Sequence, residues 1–220
     1  IPQAVADYRD VLEQHDDDAV LLTTEHDSHA DLRVAAANPG NHILCEKPMA
    51  LNLEQVKMIA EAVRRNKVKY TVGYNRAISP IVSEALEKIS PLNGKTMIYH
   101  RIQALFSADH WTHIPEVGGG RFVGEGCHIF DLFCRMIDSE PVCVYASGGT
   151  FLDESKVKIP DSAVVTLPFA DGSVATTLIH SNGCGAFPKE MTEIYRDGKV
   201  VQIVDFSAIS FYGFEAGRTV

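Results

Sequence analysis

A histidine flanked by two carboxylates is the arrangement in this sequence best suited to proton transfer. Glu125, His128 and Asp131 lie three residues apart, so neighbouring members touch if the segment is helical. A neutral histidine can accept a proton from a hydroxyl group, and an adjacent carboxylate can orient the ring and stabilise its cation. The alternative is a core histidine bonded to a backbone carbonyl, with Asp131 paired to Arg135.

Glycines surround that histidine. Gly118–Gly120 stand just before the segment and would let another chain or a small ligand approach the backbone closely. Gly124 and Gly126 are poor helix formers inside a helix that is predicted from about Arg121 to Ile137. Packing offers no obvious reason for them, and such a local inconsistency favours a functional site.

A charged turn is the second candidate for function. The apolar stretch His42–Cys45 is predicted to be a buried strand that stops at Glu46, Lys47 and Pro48. Ligands bind at the carboxyl ends of strands in open α/β sheets, and Pro48 keeps Lys47 out of helical geometry. Lys47 is therefore a candidate functional residue. The alternative is a solvated loop in which Glu46 and Lys47 merely pair with each other.

A polar aromatic loop precedes the glycines. It contains Trp111, the single tryptophan of the chain, which could line a sugar-sized pocket. His110 and His113 have the spacing of a metal-binding pair, but no further ligand lies at a matching distance in this loop. His26 and His29 have the same spacing and fit the polar start of a helix better, so no metal site is predicted.

Strands and helices alternate in the first third of the chain. Three short apolar strands separated by helices are typical of a parallel sheet with right-handed crossovers, and they are predicted at residues 19–24, 42–45 and 69–74. From Lys95 onward the strands alternate polar and apolar residues, and the pairs Asp171-Gly172 and Asp197-Gly198 predict tight hairpins. This second part is therefore predicted to be a largely antiparallel α+β domain, with the boundary between residues 75 and 80.

Composition and charge exclude several classes of function. The 220 residues are 45% hydrophobic, enough for one large or two modest domains, and the net charge of -9 disfavours a nucleic-acid partner. Five cysteines without CxxC spacing indicate reduced thiols and a cytoplasmic protein. No segment has the pattern of a signal peptide or the length of an apolar membrane span, so no membrane association is predicted.

Four motifs in order resemble one protein family, the glucose-fructose oxidoreductase and inositol dehydrogenase family, often written Gfo/Idh/MocA. The motifs are Thr24-Glu-His-Asp-Ser-His29, Cys45-Glu-Lys-Pro48, Val72-Gly-Tyr-Asn-Arg76 and the stretch from Gly118 to Asp131. The resemblance implies hydride transfer between NAD or NADP and a hydroxyl carbon of a sugar, polyol or sugar derivative. It also implies a partial Rossmann-type domain over residues 1–77 and an open-faced substrate and oligomerisation domain, with helices on one face, over residues 78–220.

The same resemblance assigns roles to individual residues. Lys47 matches the family lysine placed between the nicotinamide and the substrate hydroxyl, and His128 matches the histidine that exchanges the hydroxyl proton. A cation at Lys47 would stabilise developing alkoxide character while His128 takes the proton. The other matching residues lie around the cofactor or where the chain crosses between the domains: Thr24, His26, Glu46, Pro48, Asn75 and Arg76.

Two departures from the family pattern change these expectations. Many members carry an aspartate four residues before the histidine, whereas this chain has Gly124 there, and Glu125 is the candidate replacement. No GxGxxG turn occurs in the sequence, so the phosphate-binding turn of the cofactor site is not encoded in these residues. The 220 residues are therefore predicted to be an incomplete chain of such an enzyme, which alone binds NAD(H) weakly or not at all.

A function of a different class stays open beside the oxidoreductase. A truncated, non-catalytic sensor or assembly module that keeps the fold would also explain the missing turn and Gly124. In both cases the sheet of the second domain is predicted to have a broad face without helices. A homo-oligomer formed through that face is expected.

Overall fold

Two compact units make up the chain in the computed structural model, which describes residues 4–13 and 18–214. The first unit contains the residues up to Gly73 together with Glu116–Gly118. The second contains Tyr74–Pro115 and the residues from Gly119 onward. Each unit has its own hydrophobic core. Among the described residues, no helix is long and apolar enough to cross a membrane.

The first unit is a small parallel sheet with helices. Its strands, hydrogen-bonded in chain order, are β1 (Ala19–Leu22), β2 (His42–Cys45) and β3 (Tyr70–Val72). Its helices are α1 (Tyr8–Leu12), α2 (His29–Ala37) and α3 (Leu53–Asn66), and a 3-10 turn, His26–Ser28, precedes α2. Strand β2 runs parallel to both neighbours, with Ile43 opposite Val20 and Tyr70. The predicted parallel sheet is confirmed.

Small side chains on the helices let the first unit form a compact core. The buried apolar residues come from the strands, from α2 and α3, and from the segment that follows α3: Leu22, Ala36, Ala37, Ile43, Cys45, Ala62 and Val68. The interior of this unit also holds two polar side chains of α2, His29 and Arg33, which are fully buried.

Helix α3 begins soon after the charged turn because its first turn is capped from both directions. Asn52 Oδ1 accepts a hydrogen bond from Gln55 N at 3.0 Å, and Gln55 Oε1 accepts one from Leu51 N at 2.9 Å. This reciprocal capping satisfies backbone N–H groups that have no partner within the helix.

A seven-stranded sheet dominates the second unit. Its strands are β4 (Met97–Gln103), β5 (Tyr145–Gly149), β6 (Ser162–Pro168), β7 (Val174–His180), β8 (Glu190–Arg196), β9 (Lys199–Val204) and β10 (Ala208–Tyr212). Their order across the sheet is β10-β9-β8-β4-β7-β6-β5. Strands β4 and β7 run parallel and the other neighbouring pairs run antiparallel. The largely antiparallel sheet and both predicted hairpins are confirmed.

Helices cover one face of that sheet. Helices α4 (Pro80–Ile89) and α5 (Cys127–Met136) bury apolar side chains in the core of this unit: Val82, Ala85, Ile129, Leu132 and Phe133. The strands contribute Ile98, Ile179 and Ile194 to the same core. On the other face Met97 and Tyr195, which pair across β4 and β8, are 58% and 40% exposed. The open-faced sheet with helices on one side is confirmed.

The helix predicted from about Arg121 to Ile137 is irregular at its start. Phe122–Gly126 forms a π-helical turn, and α5 begins only at Cys127. Gly126 leaves little room for a side chain, because a Cβ there would lie 3.2 Å from Phe130 Cε2 and 3.3 Å from Ile179 Cδ1. Single π-helical turns of this kind are frequent at functional sites.

Candidate functional site

The charged turn lies at the carboxyl end of β2. Glu46 N donates to Leu22 O at 2.8 Å, which extends the parallel pairing to the first residue of the turn. The chain then leaves the sheet through a cis peptide bond between Lys47 and Pro48. Lys47 is partly buried, whereas Glu46 is exposed. Lys47 is therefore presented from a strand end and does not belong to a helix.

Two buried side chains of α2 hold the backbone of this turn. Arg33 is fully buried, and its Nη2 atom donates to Glu46 O at 2.7 Å and to Pro48 O at 3.0 Å. His29 is also fully buried, with Nδ1 2.9 Å from Pro48 O and Nε2 3.0 Å from Thr24 O. The carbonyl groups that precede and follow Lys47 are thus bonded to side chains of a single helix.

The loop after β1 supplies the neighbouring polar residues. His26 is buried, and its Nδ1 lies 2.9 Å from Gly118 O. Burial lowers the pKa of His26; the contact with Gly118 opposes this shift, and the charge of Lys47 adds to it. His26 is therefore neutral near pH 7. Thr24 is exposed, and its hydroxyl lies 2.6 Å from the hydroxyl of Ser28.

An ionic cluster lies in the interior of the second unit. Arg76 donates from Nε to Glu190 Oε2 at 2.7 Å and from Nη2 to Glu190 Oε1 at 2.5 Å, and the same Nη2 reaches Glu125 Oε2 at 3.3 Å. Burial by itself lowers the pKa of Arg76, but the hydrogen bonds and charge of Glu190, aided by Glu125, outweigh burial and raise that pKa. The guanidinium therefore stays charged and bridges two carboxylates.

A second buried arginine also faces Glu125. Arg121 is 1% exposed, and its Nη1 lies 4.0 Å from Glu125 Oε1. Its guanidinium carbon lies 4.1 Å from the centre of the Phe106 ring, a cation–π contact. Burial lowers the pKa of Arg121, and the charge of Glu125 opposes that shift. Glu125 thus pairs with Arg76 and lies close to a second cation.

His128 is the second residue of α5 and is buried. Its ring meets Tyr74 edge-on, with the ring centroids 6.0 Å apart and the planes at 75°. This is a favourable aromatic geometry that limits the orientations open to the imidazole. Asp131 lies further along the helix and is partly buried, and burial raises the pKa of its carboxyl group.

The other predicted residues of the second unit lie in exposed or partly buried positions. Trp111 is partly buried in a 3-10 turn, Trp111–His113, and its ring stacks on His110 with the centroids 5.7 Å apart. Asn75 is exposed. In the part of the chain that the structure describes, no group of three or more His, Cys, Asp or Glu residues is arranged to hold a metal ion.

Sequence reasoning missed three residues of these clusters: Arg33, Arg121 and Glu190. Arg33 left a signal, because it lies one helical turn after His29 on the face that also carries the buried Ala37, where a charged side chain is out of place. No local sequence pattern marks Glu190 as a buried residue, because its burial depends on the pairing of β8 with β4 and β9.

A three-stranded parallel sheet with a charged turn at a strand end gives the first unit the Rossmann-type α/β architecture, in which ligands bind at the carboxyl ends of the strands. Two family profiles match the chain. Residues 1–74 match the oxidoreductase family with an NAD-binding Rossmann fold, and residues 90–200 match the GFO/IDH/MocA C-terminal domain. The chain belongs to the GFO/IDH/MocA oxidoreductase family.

Individual relatives match over most of this chain. It is 32% identical over 181 residues to the uncharacterized oxidoreductase YrbE of Bacillus subtilis and 30% identical over 178 residues to myo-inositol 2-dehydrogenase of Thermotoga maritima. These alignments include 80% and 79% of this chain but 52% and 53% of the relatives, so the chain spans about half their length. Levoglucosan dehydrogenase in complex with NADH has a similar fold, with a TM-score of 0.84 at 21% identity over 98% of this chain and 63% of that one.

Proposed function

We propose that this protein is an oxidoreductase that transfers hydride between NAD(P) and a hydroxyl carbon of a sugar, polyol or sugar derivative. The family is described as NAD-binding, and the similar myo-inositol 2-dehydrogenase is named for a polyol substrate. The observation that carries the proposal is the placement of Lys47 in a turn at the carboxyl end of a parallel strand, with buried side chains bonded to the backbone around it. Such strand ends are where open α/β sheets bind ligands.

The chemistry proposed for the chain's own residues is charge stabilisation and proton transfer. When an alcohol is oxidised, the nicotinamide takes the hydride from carbon and the hydroxyl group loses its proton. The Lys47 ammonium donates a hydrogen bond to the substrate oxygen and stabilises the developing alkoxide. His128, oriented by Tyr74, accepts the proton. The Glu125 carboxylate, held by Arg76, stabilises the imidazolium that forms.

Polar side chains at the strand ends are the contacts that we propose for the nicotinamide half of the cofactor. Thr24 and Glu46 are exposed and offer a hydroxyl group and a carboxylate, and the buried ring of His26 lies in the same loop as Thr24. We propose that these residues contact NAD or NADP together with Lys47 and Pro48.

Two further contacts with the cofactor and one with the substrate are proposed for the second unit. Asn75 is exposed and can donate to the cofactor directly. Arg76 is engaged by Glu190, so its proposed contribution is to hold the neighbouring Asn75 in place beside the cofactor. Trp111 presents an aromatic ring that can stack on the C–H groups of a sugar, and we propose that it lines the substrate pocket.

Turnover of a panel of sugars and polyols tests this function. The natural protein is incubated with NAD+ or NADP+ and with myo-inositol, scyllo-inositol or levoglucosan, and reduced cofactor is followed by its absorbance. Lys47→Met and His128→Asn are each expected to lower kcat about 100-fold or more, because they remove charge stabilisation and proton transfer. Lys57→Met, at an exposed lysine paired with Glu54, is the matched control and retains activity.

Two outcomes would contradict the proposal. If the Lys47→Met variant turned over substrate at the wild-type rate, Lys47 would have no role in the reaction. Failure of the natural protein to reduce either cofactor with any sugar or polyol, together with no binding of NADH, would favour the non-catalytic sensor or assembly module.

We also propose that the protein self-associates through the open face of the second unit's sheet and works in the cytoplasm. Met97, Val164 and Tyr195 expose apolar surface in that sheet. None of the five cysteines, all of which lie within the described residues, forms a disulfide. Reduced thiols are typical of the cytoplasm. Sedimentation of the purified protein measures its mass, and a monomer at micromolar concentration would contradict the self-association.

A further inference from the structure

We infer that Arg33 is a positioning residue for the reaction, because it fixes the backbone on both sides of Lys47 and thereby sets where the Lys47 ammonium stands. The inference rests on the proposed function, since it requires Lys47 to act on the substrate. Arg33 is fully buried in α2, so it acts through the turn and not by touching substrate.

The hydrogen bonds of Arg33 account for this role. Its Nη2 atom bonds the carbonyl oxygens of Glu46 and Pro48, at 2.7 Å and 3.0 Å. The paired residues of β2 end at Cys45, and Glu46 adds only its N–H group to the ladder. The carbonyls of Glu46 and Pro48 therefore lie beyond the ladder and need other donors when buried. Arg33 thus joins the Glu46–Lys47 peptide unit to the Pro48–Met49 peptide unit, and this bridge spans Lys47 and restricts the backbone dihedrals that aim its side chain.

The surroundings of Arg33 are costly for a cation. Its Nε and Nη1 atoms are buried and have no hydrogen-bond partner among the residues that the structure describes. A cation–π contact with Tyr70, whose ring centre lies 5.7 Å from the guanidinium carbon, offsets part of this cost. The small apolar residues Ala36 and Ala37 follow Arg33 on α2 and offer it no hydrogen-bonding side chain. An apolar side chain would pack in such a place at lower cost. Because burying a cation here is costly, the hydrogen bonds to the two carbonyls explain why position 33 carries an arginine.

The shape of the side chain explains why arginine suits this position. A guanidinium group is planar and its donors keep fixed directions, whereas a lysine ammonium is a point charge on a flexible stem. Lysine at position 33 would keep the charge but hold the two carbonyls less firmly. Because misplacing a reacting group by about 1 Å can cost on the order of 100-fold in rate, kcat is expected to respond more than KM.

A double-mutant cycle in the natural protein tests the inference. With NAD+ and the polyol of highest turnover, Arg33→Met is expected to lower kcat about 10- to 100-fold and Arg33→Lys about 3- to 10-fold. In a Lys47→Met background, Arg33→Met is expected to change the residual kcat less than about twofold, because the group it positions is gone. The same loss in both backgrounds would mean a merely structural role and would overturn the inference.

A second readout needs no turnover. The rate of reductive methylation of Lys47, relative to that of the exposed Lys57, is measured by peptide mass spectrometry in the absence of ligands. Arg33→Met and Arg33→Lys are expected to change this ratio by about twofold or more, because the turn is less restrained. Arg65→Met is the matched control, since Arg65 is exposed and bonds only the side chain of Asn38 among the contacts described.

The two proposals fail in different ways. If Arg33→Met does not fold, Arg33→Lys carries both measurements. An unchanged methylation ratio with wild-type kcat in Arg33→Lys would overturn the positioning role even when Lys47→Met is inactive. Full activity of Lys47→Met would refute the proposed function instead.

Discussion

Arginines inside the two units bind different partners. In the first unit Arg33 donates to backbone carbonyls, whereas in the second unit Arg76 donates to the carboxylates of Glu190 and Glu125. A carbonyl does not titrate, so the contacts of Arg33 fix a backbone turn at any pH that keeps the protein folded. The contacts of Arg76 hold ionised side chains and depend on charge balance. The contacts of Arg33 therefore set the geometry of the turn around Lys47, whereas the contacts of Arg76 balance the charges of buried side chains.

The largest effect on stability is expected in the second unit. Arg76→Met leaves the Glu190 carboxylate, whose side chain is 7% exposed, without its cation. Breaking a buried pair in this way costs about 3–5 kcal/mol of unfolding free energy. Urea denaturation followed by the fluorescence of Trp111 measures this loss, because the single tryptophan lies in the second unit.

Two further variants sharpen that result. Arg135→Met, at an exposed position of α5, is expected to cost less than about 0.5 kcal/mol. Adding Glu190→Gln to Arg76→Met is expected to restore part of the stability, because it removes the uncompensated charge. A loss below about 1 kcal/mol for Arg76→Met would show that the cluster does not hold the unit together.

A smaller effect is expected from pH. His100 on β4 is fully buried, and its Nδ1 lies 2.8 Å from Thr192 Oγ1. Burial, with the charges of Arg76 and Arg101, lowers the pKa of His100 from 6.5 to about 3. The Glu190 carboxylate lies 4.0 Å from its Nε2 but is already bonded to Arg76. The neutral ring is therefore the folded form.

The sign of the pH effect follows from that depressed pKa. Between pH 6.5 and about 3 the unfolded chain protonates His100 and the folded protein does not, so stability present above pH 6.5 is lost as pH falls. The loss between pH 7 and pH 5 is about 2 kcal/mol. Urea midpoints at both pH values are expected to differ less in His100→Gln than in the wild type. Equal differences would contradict the assignment to His100.

Short-range patterns made the first unit predictable. The apolar run of β2 stops at Glu46, the proline follows two residues later, and Asn52 caps α3 within the next turn. Each of these events depends on residues only a few positions apart. The end of the strand, the charged turn and the helix start could therefore be placed from the sequence.

Long-range partners made the second unit harder to predict. Arg76 and Glu190 are 114 residues apart in the chain and share a hydrogen bond because β8 adds to the sheet beside β4. No local pattern marks either residue as the partner of the other. The π-helical turn at Phe122–Gly126 was likewise missed, because the close packing of Gly126 against Ile179 of β7 depends on a strand more than 50 residues away in the chain.

Direct hydride transfer is the central claim, and isotopic labelling measures it most directly. The natural protein is incubated with NAD+ and carbon-deuterated myo-inositol, or with another deuterated polyol that the panel identifies, and the reduced cofactor is examined by mass spectrometry and NMR. The predicted result is deuterium at C4 of the nicotinamide, with no such product from Lys47→Met on the same timescale. Reduced cofactor without deuterium, or no reduction with any polyol, would contradict the account.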